Sequence, residues 1–164
     1  MRLDVRPVAT DEDLESFSRI LLDAAGNLEA EGQPLWTADE LAPTAQLERY
    51  DPSEMRLGLF AGEPVAAMIV QESDELFWPD APEGESLFVH KLARSKRPKG
   101  RGAGAAMLDW ARARASEQAK AYLRLDCAAD RPKLCRFYEG YGFRPVGRRM
   151  VGPYDTAFYE LPLR

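Results

Sequence analysis

Histidine and cysteine are scarce in this sequence: one histidine, His90, and two cysteines, Cys127 and Cys135. Two cysteines make no disulfide framework, and with one histidine they match no zinc-binding spacing, so no metal is expected. Such cysteine usage implies a reducing compartment, and a cytoplasmic location is expected. Long apolar runs are missing, since no stretch approaches the ~18 residues of a membrane span. The opening residues MRLDVRPVATDEDLE lack the apolar stretch of a secretory leader. Internal repeats, low-complexity tracts and long linkers are missing too. What remains is 164 residues, 45% apolar and 30% charged, which reads as a single domain over residues 1–164 with a buried core. A net charge of −5 argues against a general nucleic-acid binder, so neither nucleic acid nor membrane is an expected partner.

The positive charge is concentrated. Lys91, Arg94, Lys96, Arg97, Lys99 and Arg101 place six basic residues within eleven, with no acid among them. Asp74, Glu75, Asp80, Glu83 and Glu85 lie just upstream. A basic patch on an acidic chain suits one small anionic ligand; a solvated loop is the plainer alternative.

Hydrophobic periodicity gives the elements. Residues 2–8 alternate as a strand. Thr10, Asp11, Glu12 and Asp13 form a capping box, and Leu14, Phe17, Leu21 and Ala24 share one helical face that Gly26 or Asn27 ends. Residues 28–38 read as a loop, and a second helix spans about Asp39 to Tyr50 despite Pro43. Residues 55–61 and 64–72 form a hairpin around Gly62-Glu63. A strand over 86–94 precedes an alanine-rich helix over 102–119, with Gly104, Leu108, Ala111, Ala115 and Ala119 on one stripe and Trp110 in the core. A strand over 121–127 follows. Pro132 opens a helix with Leu134, Phe137, Tyr138 and Tyr141 on one face, and Gly142 closes it. Strands over 143–151 and 154–162 finish the chain. The class is α/β, with seven strands in a mixed sheet and four helices packed on it.

Between the strand 86–94 and the alanine-rich helix, residues 99–104 read K-G-R-G-A-G. Glycines allow close approach of the backbone, and the helix start that follows offers unpaired N–H groups to an anion. This is the physics of a pyrophosphate site. It is no P-loop, because no Gly-Lys-Ser/Thr follows, and no dinucleotide fingerprint, because position 105 is Ala105.

The segment LARSKRPKGRGAGAAML, residues 92–108, resembles the acetyl-CoA motif of the GNAT superfamily of N-acetyltransferases, Gln/Arg-x-x-Gly-x-Gly/Ala. Lys99 stands at the Gln/Arg position and keeps its charge, with Gly102 and Gly104 at the small positions. FYEGYGF at 137–143 resembles the family's closing signature Y-x-x-x-G-F. Arg131 stands where members often carry Asn. The resemblance spans the chain and implies a GNAT-like fold, mostly antiparallel with one splayed parallel pair.

It also implies roles. Acetyl-CoA would be the cosubstrate, with no metal. Its pyrophosphate would rest on the turn Lys99, Gly100, Arg101, Gly102, Ala103 and Gly104. Its pantetheine arm would pair with Leu92, Ala93 and Arg94, and the Ala93 amide would receive the oxyanion. Tyr138 would contact the coenzyme and, as general acid, protonate the departing thiolate; packing in the aromatic core is its alternative. His90, with an ordinary pKa of about 6.5, suits a general base that removes the amine's proton. A histidine packed in the sheet is the alternative there, and Glu85, Glu29 and Glu31 are rival bases. Trp36 and Glu31 would touch the acceptor, and the acids at 29, 31, 39 and 40 hint at a cationic amine. Cys127 and Cys135 read as packed residues rather than acyl carriers. The implied activity is acetyl transfer to a primary amine by direct attack in a ternary complex; a small molecule is preferred as acceptor, with a peptide N-terminus and a lysine side chain as the alternatives. Homodimers are common in the family. A non-catalytic acyl-CoA-binding domain is the alternative function.

Overall fold

In the computed structural model, residues 1–30, 40 and 42–163 are described. The strands are β1 (Asp4–Pro7), β2 (Met55–Phe60), β3 (Glu63–Gln71), β4 (Ser86–Arg94), β5 (Tyr122–Ala128), β6 (Arg144–Val151) and β7 (Tyr154–Pro162). Among the described residues the helices with full bounds are α1 (Asp11–Ala30), α2 (Pro43–Arg49), α3 (Ala103–Glu117) and α4 (Pro132–Tyr141), and Glu40 is also helical. Hydrogen bonding orders the strands β1-β2-β3-β4-β5-β7-β6 in one mixed sheet. The β4–β5 pair is parallel over Ser86–Val89 and Tyr122–Leu125. No helix among the described residues is long and apolar enough to cross a membrane.

The chain divides into two compact units, Met1–Val70 with Lys91–Trp110, and Gln71–His90 with Ala111–Arg164. In the first unit, Leu14, Phe17, Ile20 and Leu21 of α1 bury against Met55, Leu57, Leu59, Ala67 and Ile69 of β2 and β3. Each such side chain contributes about 1.5–3 kcal/mol when fully buried. The opposite face of β2 carries Gly58, where an added Cβ would meet Met107 Sδ of α3 at 2.6 Å. The missing side chain makes room for the helix.

Several boundaries differ from the sequence reading. The hairpin turns at Ala61-Gly62, with φ of 51° and 81°, and Glu63 is already paired with Phe60. Two successive left-handed residues match the twist of the flanking strands, which a turn through Glu63 would not. Helix α1 passes Gly26 and runs to Ala30. Thr10 Oγ1 caps it by accepting from Asp13 N at 3.1 Å, but the Asp13 carboxylate accepts from Ala9 N rather than Thr10 N. Helix α2 starts at Pro43, whose fixed φ suits the first helical position. Ala119 lies beyond α3 with φ 57° and is exposed. Trp110 is half-buried rather than core, with the Arg56 guanidinium 5.3 Å from its ring centre. Phe137 is 38% exposed, leaving Tyr138 as the buried aromatic of α4.

In the second unit, β6 and β7 form a hairpin around Gly152-Pro153, and β7 pairs along the whole of β5. All of β6 except Val151 is exposed, and Arg144, Arg148 and Arg149 along it discourage pairing with another chain.

Gly100 sits where an added Cβ would overlap the Ser95 carbonyl oxygen. Gly100→Ala therefore forces a backbone shift costing about 1–3 kcal/mol, and the thermal midpoint should fall by several degrees. Gly140, inside α4 with open space around it, behaves oppositely. Gly140→Ala should raise the midpoint, by up to about 1 kcal/mol of helix stability. Calorimetric melts of both variants check the pair.

Candidate functional site

In the first unit, the glycine turn is tightly folded. Ser95 N donates to Val65 O at 2.7 Å, Gly100 N to Arg97 O at 2.8 Å and Arg101 N to Pro98 O at 3.2 Å. Gly102 takes φ 81°, and α3 begins at the next residue. Its first amides thus follow directly on the turn, at the positive end of the helix dipole. Arg94, Lys96, Arg97, Lys99 and Arg101 are exposed around it. Lys99 Nζ meets Glu63 Oε1 at 2.6 Å, with both side chains more than half exposed, so the pair contributes little. Lys91 does not join this patch. It takes φ 50° within β4 and lies half-buried with Nζ 5.8 Å from the Tyr50 ring centre. Burial and the Arg49 charge lower its pKa. Leu92 is half-buried, Ala93 belongs to the α1-facing core, and Arg94 is exposed.

In the second unit the alternation of β5 sorts the chemistry. Leu123, Leu125 and Cys127 are buried on one face; Tyr122, Arg124 and Asp126 lie on the other. Beside Cys127 stands Tyr138 of α4, 5% exposed and packed on Phe143 and Tyr159 at 5.9 and 6.1 Å between ring centres. Burial pushes its phenol well above the ordinary pKa, with Cys127 and Asp126 adding to the effect, so it holds its proton. The Cys127 and Cys135 sulfurs lie 3.8 Å apart. Burial, then the neighbouring Cys135, raises the Cys127 thiol, which makes it a poor nucleophile.

On the other face, Asp74, His90 and Asp126 converge, with one nitrogen or oxygen from each lying within 4.8 Å of the others. His90 Nε2 is 3.7 Å from Asp74 Oδ2. The Asp74 side chain is 8% exposed. Its Oδ1 accepts from Phe77 N at 3.0 Å, while no donor among the described residues reaches Oδ2. Asp126 is pushed up to about 7, chiefly by burial and then by the Asp74 charge, with Trp78 and Arg149 pulling the other way. Neither aspartate belongs to a motif in the sequence. The half-buried acid in the alternating LRLDC run was the available signal for Asp126; Asp74 looked like one more surface acid.

Glu85, a rival base, is bound instead to Arg124 at 3.0 Å. Glu29 lies in α1 with its side chain outside the described structure, and Glu31, Trp36 and Asp39 lie outside the described residues. The Glu40 carbonyl accepts from Gln46 Nε2 at 2.6 Å.

The elevated pKa of Asp126 makes a stability prediction. Between about 4 and 7 the folded protein holds a proton on this carboxyl that the unfolded chain releases, so the contribution of Asp126 to stability falls as pH rises through that window. The shift from 3.8 to about 7 corresponds to a cost of at most about 4 kcal/mol above pH 7. Asp126→Asn, which mimics the protonated form, should melt several degrees higher than wild type at pH 8. The advantage should shrink steadily toward pH 4, and melts across that range measure it.

Residues 18–143 match the model of the acetyltransferase (GNAT) family. YesJ of Bacillus subtilis strain 168, described as an uncharacterised N-acetyltransferase, is 31% identical over 152 residues, covering 88% of this chain and 83% of YesJ. A GNAT acetyltransferase structure from Listeria monocytogenes shares the fold at a TM-score of 0.75 and 23% identity, over 98% of this chain and 95% of that one. An acetyltransferase structure from Thermus thermophilus does so at 0.70 and 24%, over 99% and 98%. Both the glycine turn and the Tyr138 helix lie within the matched span, and the chain belongs to the GNAT family of acetyltransferases, which carry out acyl transfer.

Proposed function

We propose that this protein transfers the acetyl group of acetyl-CoA to a primary amine by direct attack in a ternary complex. The observation that carries the reading is the exposed turn ahead of α3, where helix amides follow a left-handed Gly102 amid five exposed basic side chains. Pyrophosphate is the anion such a turn suits. Gly102, Ala103 and Gly104 offer it their amides and Lys99 and Arg101 their charge, while the Gly100 and Arg101 amides are spent closing the turn, and Arg94 with the neighbouring cations offsets the remaining phosphate charge. Leu92, Ala93 and Arg94 offer main-chain groups to the pantetheine arm, and the Ala93 amide steadies the oxyanion.

The amine arrives protonated, with a pKa of about 10, and must lose a proton before attack. His90, 3.7 Å from a buried carboxylate oxygen, accepts it. The amine nitrogen then attacks the thioester carbonyl. The tetrahedral intermediate collapses, the C–S bond breaks, and Tyr138 gives its proton to the thiolate. Burial supports this role by keeping the phenol neutral until the sulfur takes on charge.

Three variants test the assignment. Gly102→Asp places a carboxylate on the turn and should weaken acetyl-CoA binding at least tenfold by calorimetry, about 1.4 kcal/mol; unchanged affinity in a folded variant refutes the coenzyme site. Tyr138→Phe should bind the coenzyme within a few fold and lose about 10²–10⁴ in turnover. His90→Ala should lower turnover and abolish the acid limb of the pH–rate profile. Intact coenzyme binding without CoA release from wild type across an amine panel identifies a binding domain instead.

A further inference from the structure

We propose that the acceptor is an amino acid-like zwitterion with an apolar side group, its ammonium seated among Asp74, His90 and Asp126 and its carboxylate on Arg149. The inference rests on the acetyl-transfer reading and names the substrate class of that reaction.

Consider the cationic end first. Asp74 and Asp126 are two carboxylates in a buried setting; the Oδ2 of each lacks a well-formed hydrogen bond among the described residues, with the Trp78 indole acting on the Asp126 carboxyl. Such an oxygen costs about 1–3 kcal/mol while unsatisfied. A cation between the two would supply donors to both and cancel their mutual repulsion. A tetrahedral metal with bonds of about 2.1 Å draws its ligand atoms to about 3.4 Å of one another. An ammonium with hydrogen bonds of about 2.8 Å spaces its acceptors about 4.6 Å apart. The His90–Asp74 separation of 3.7 Å lies nearer the metal spacing, while the cluster as a whole, within 4.8 Å, has room for the ammonium; the arginine and apolar wall beside it, which a metal does not use, point to the zwitterion.

The anionic and apolar ends follow from an adjoining cleft of about 410 Å³, lined among others by Phe77, Trp78, Arg148, Arg149 and Phe158. Such a volume takes a small molecule. Trp78 meets Phe158 edge-on at 5.2 Å and offers an apolar wall. Phe77, which lines the cleft, donates its N–H to Asp74 Oδ1 at 3.0 Å, so the cleft and the acid cluster adjoin. Three arginines border the cleft. Arg124 is held by Glu85 and Glu160, and Arg148 by both oxygens of Asp155 at 3.0 and 2.6 Å. Arg149 lies over the Phe158 ring at 4.4 Å and donates through Nη2 to the Phe77 carbonyl. No carboxylate of the described residues forms an ion pair with it, and a planar guanidinium so placed is a natural carboxylate receptor.

The test compares leucine, methionine and phenylalanine with the amines left when each loses its carboxylate. Acetyl transfer by the intact protein is measured, and in parallel calorimetric binding of each compound to the protein holding CoA. At least one amino acid should exceed its decarboxylated partner by tenfold or more, in kcat/KM and in affinity. Arg149→Gln should cut that ratio at least fivefold, through KM rather than kcat, and Asp126→Asn should weaken binding of amino acid and amine alike. Equal or better performance by every decarboxylated amine overturns the inference while leaving acetyl transfer intact. A binding preference without turnover upholds the seat and overturns the transfer reading. If the preference vanishes with EDTA and returns with Zn²⁺ or Mn²⁺, the three side chains hold a metal and the ammonium seat is wrong.

Discussion

Arg124 joins four strands of the second unit through one guanidinium. From β5 it reaches Glu85 and Ser86 at the start of β4, at 3.0 and 2.6 Å, and Glu160 of β7 at 3.2 Å. Glu160 in turn takes Arg144 of β6 at 2.7 Å. Trp78 and Tyr122 rings lie 5.2 and 4.5 Å from the guanidinium carbon. Removing one partner of such a buried network leaves an uncompensated charge, at a cost of about 3–5 kcal/mol. Slipping β5 by one residue would turn Arg124 toward the apolar face and Asp126 with it. The register that satisfies the arginine is therefore the register that brings Asp126, two residues along, to His90 and Asp74.

The first unit depends on a different constraint, the absence of side chains. Gly58 admits Met107 of α3, and Gly100 lets the turn close on the Ser95 carbonyl. Those two positions fix where α3 lies and where its first amides emerge. The basic residues around the turn form few strong local pairs; the 2.6 Å contact of Lys99 with Glu63 is an exposed one. Cations gathered at an exposed helix start, without buried counter-charges, fit a ligand that brings its own negative charge.

The strand and helix order was legible because it follows from periodicity over many residues. Leu14, Phe17 and Leu21 marked their face of α1, and L-R-L-D-C marked both faces of β5. The GNAT resemblance was legible because glycines and charges are local in sequence. Boundaries were less so: a left-handed Ala61 has no distinctive side chain, and Gly26 inside α1 is indistinguishable from a terminating glycine. The acid cluster was hidden for a deeper reason. Asp126 acquires its character from desolvation and from Asp74, 52 residues away in the chain, and neither effect has a sequence pattern.

Burial acts on both faces of β5, yet with opposite chemical consequences. It raises the carboxyl of Asp126 to about 7 and the phenol of Tyr138 above its usual range. A carboxyl so raised still ionises in mildly alkaline solution, and there it favours a cation beside it. A phenol so raised stays neutral in the same solution and remains a proton donor. In the proposed reaction, one desolvated strand separates a negatively charged face, offered to the ammonium, from a neutral acid, offered to the leaving thiolate. Acetyl transfer to an amine needs both states at one pH, because the amine must shed a proton while the sulfur gains one. The same low-dielectric surroundings supply both, and the alternation of β5 keeps them on separate faces.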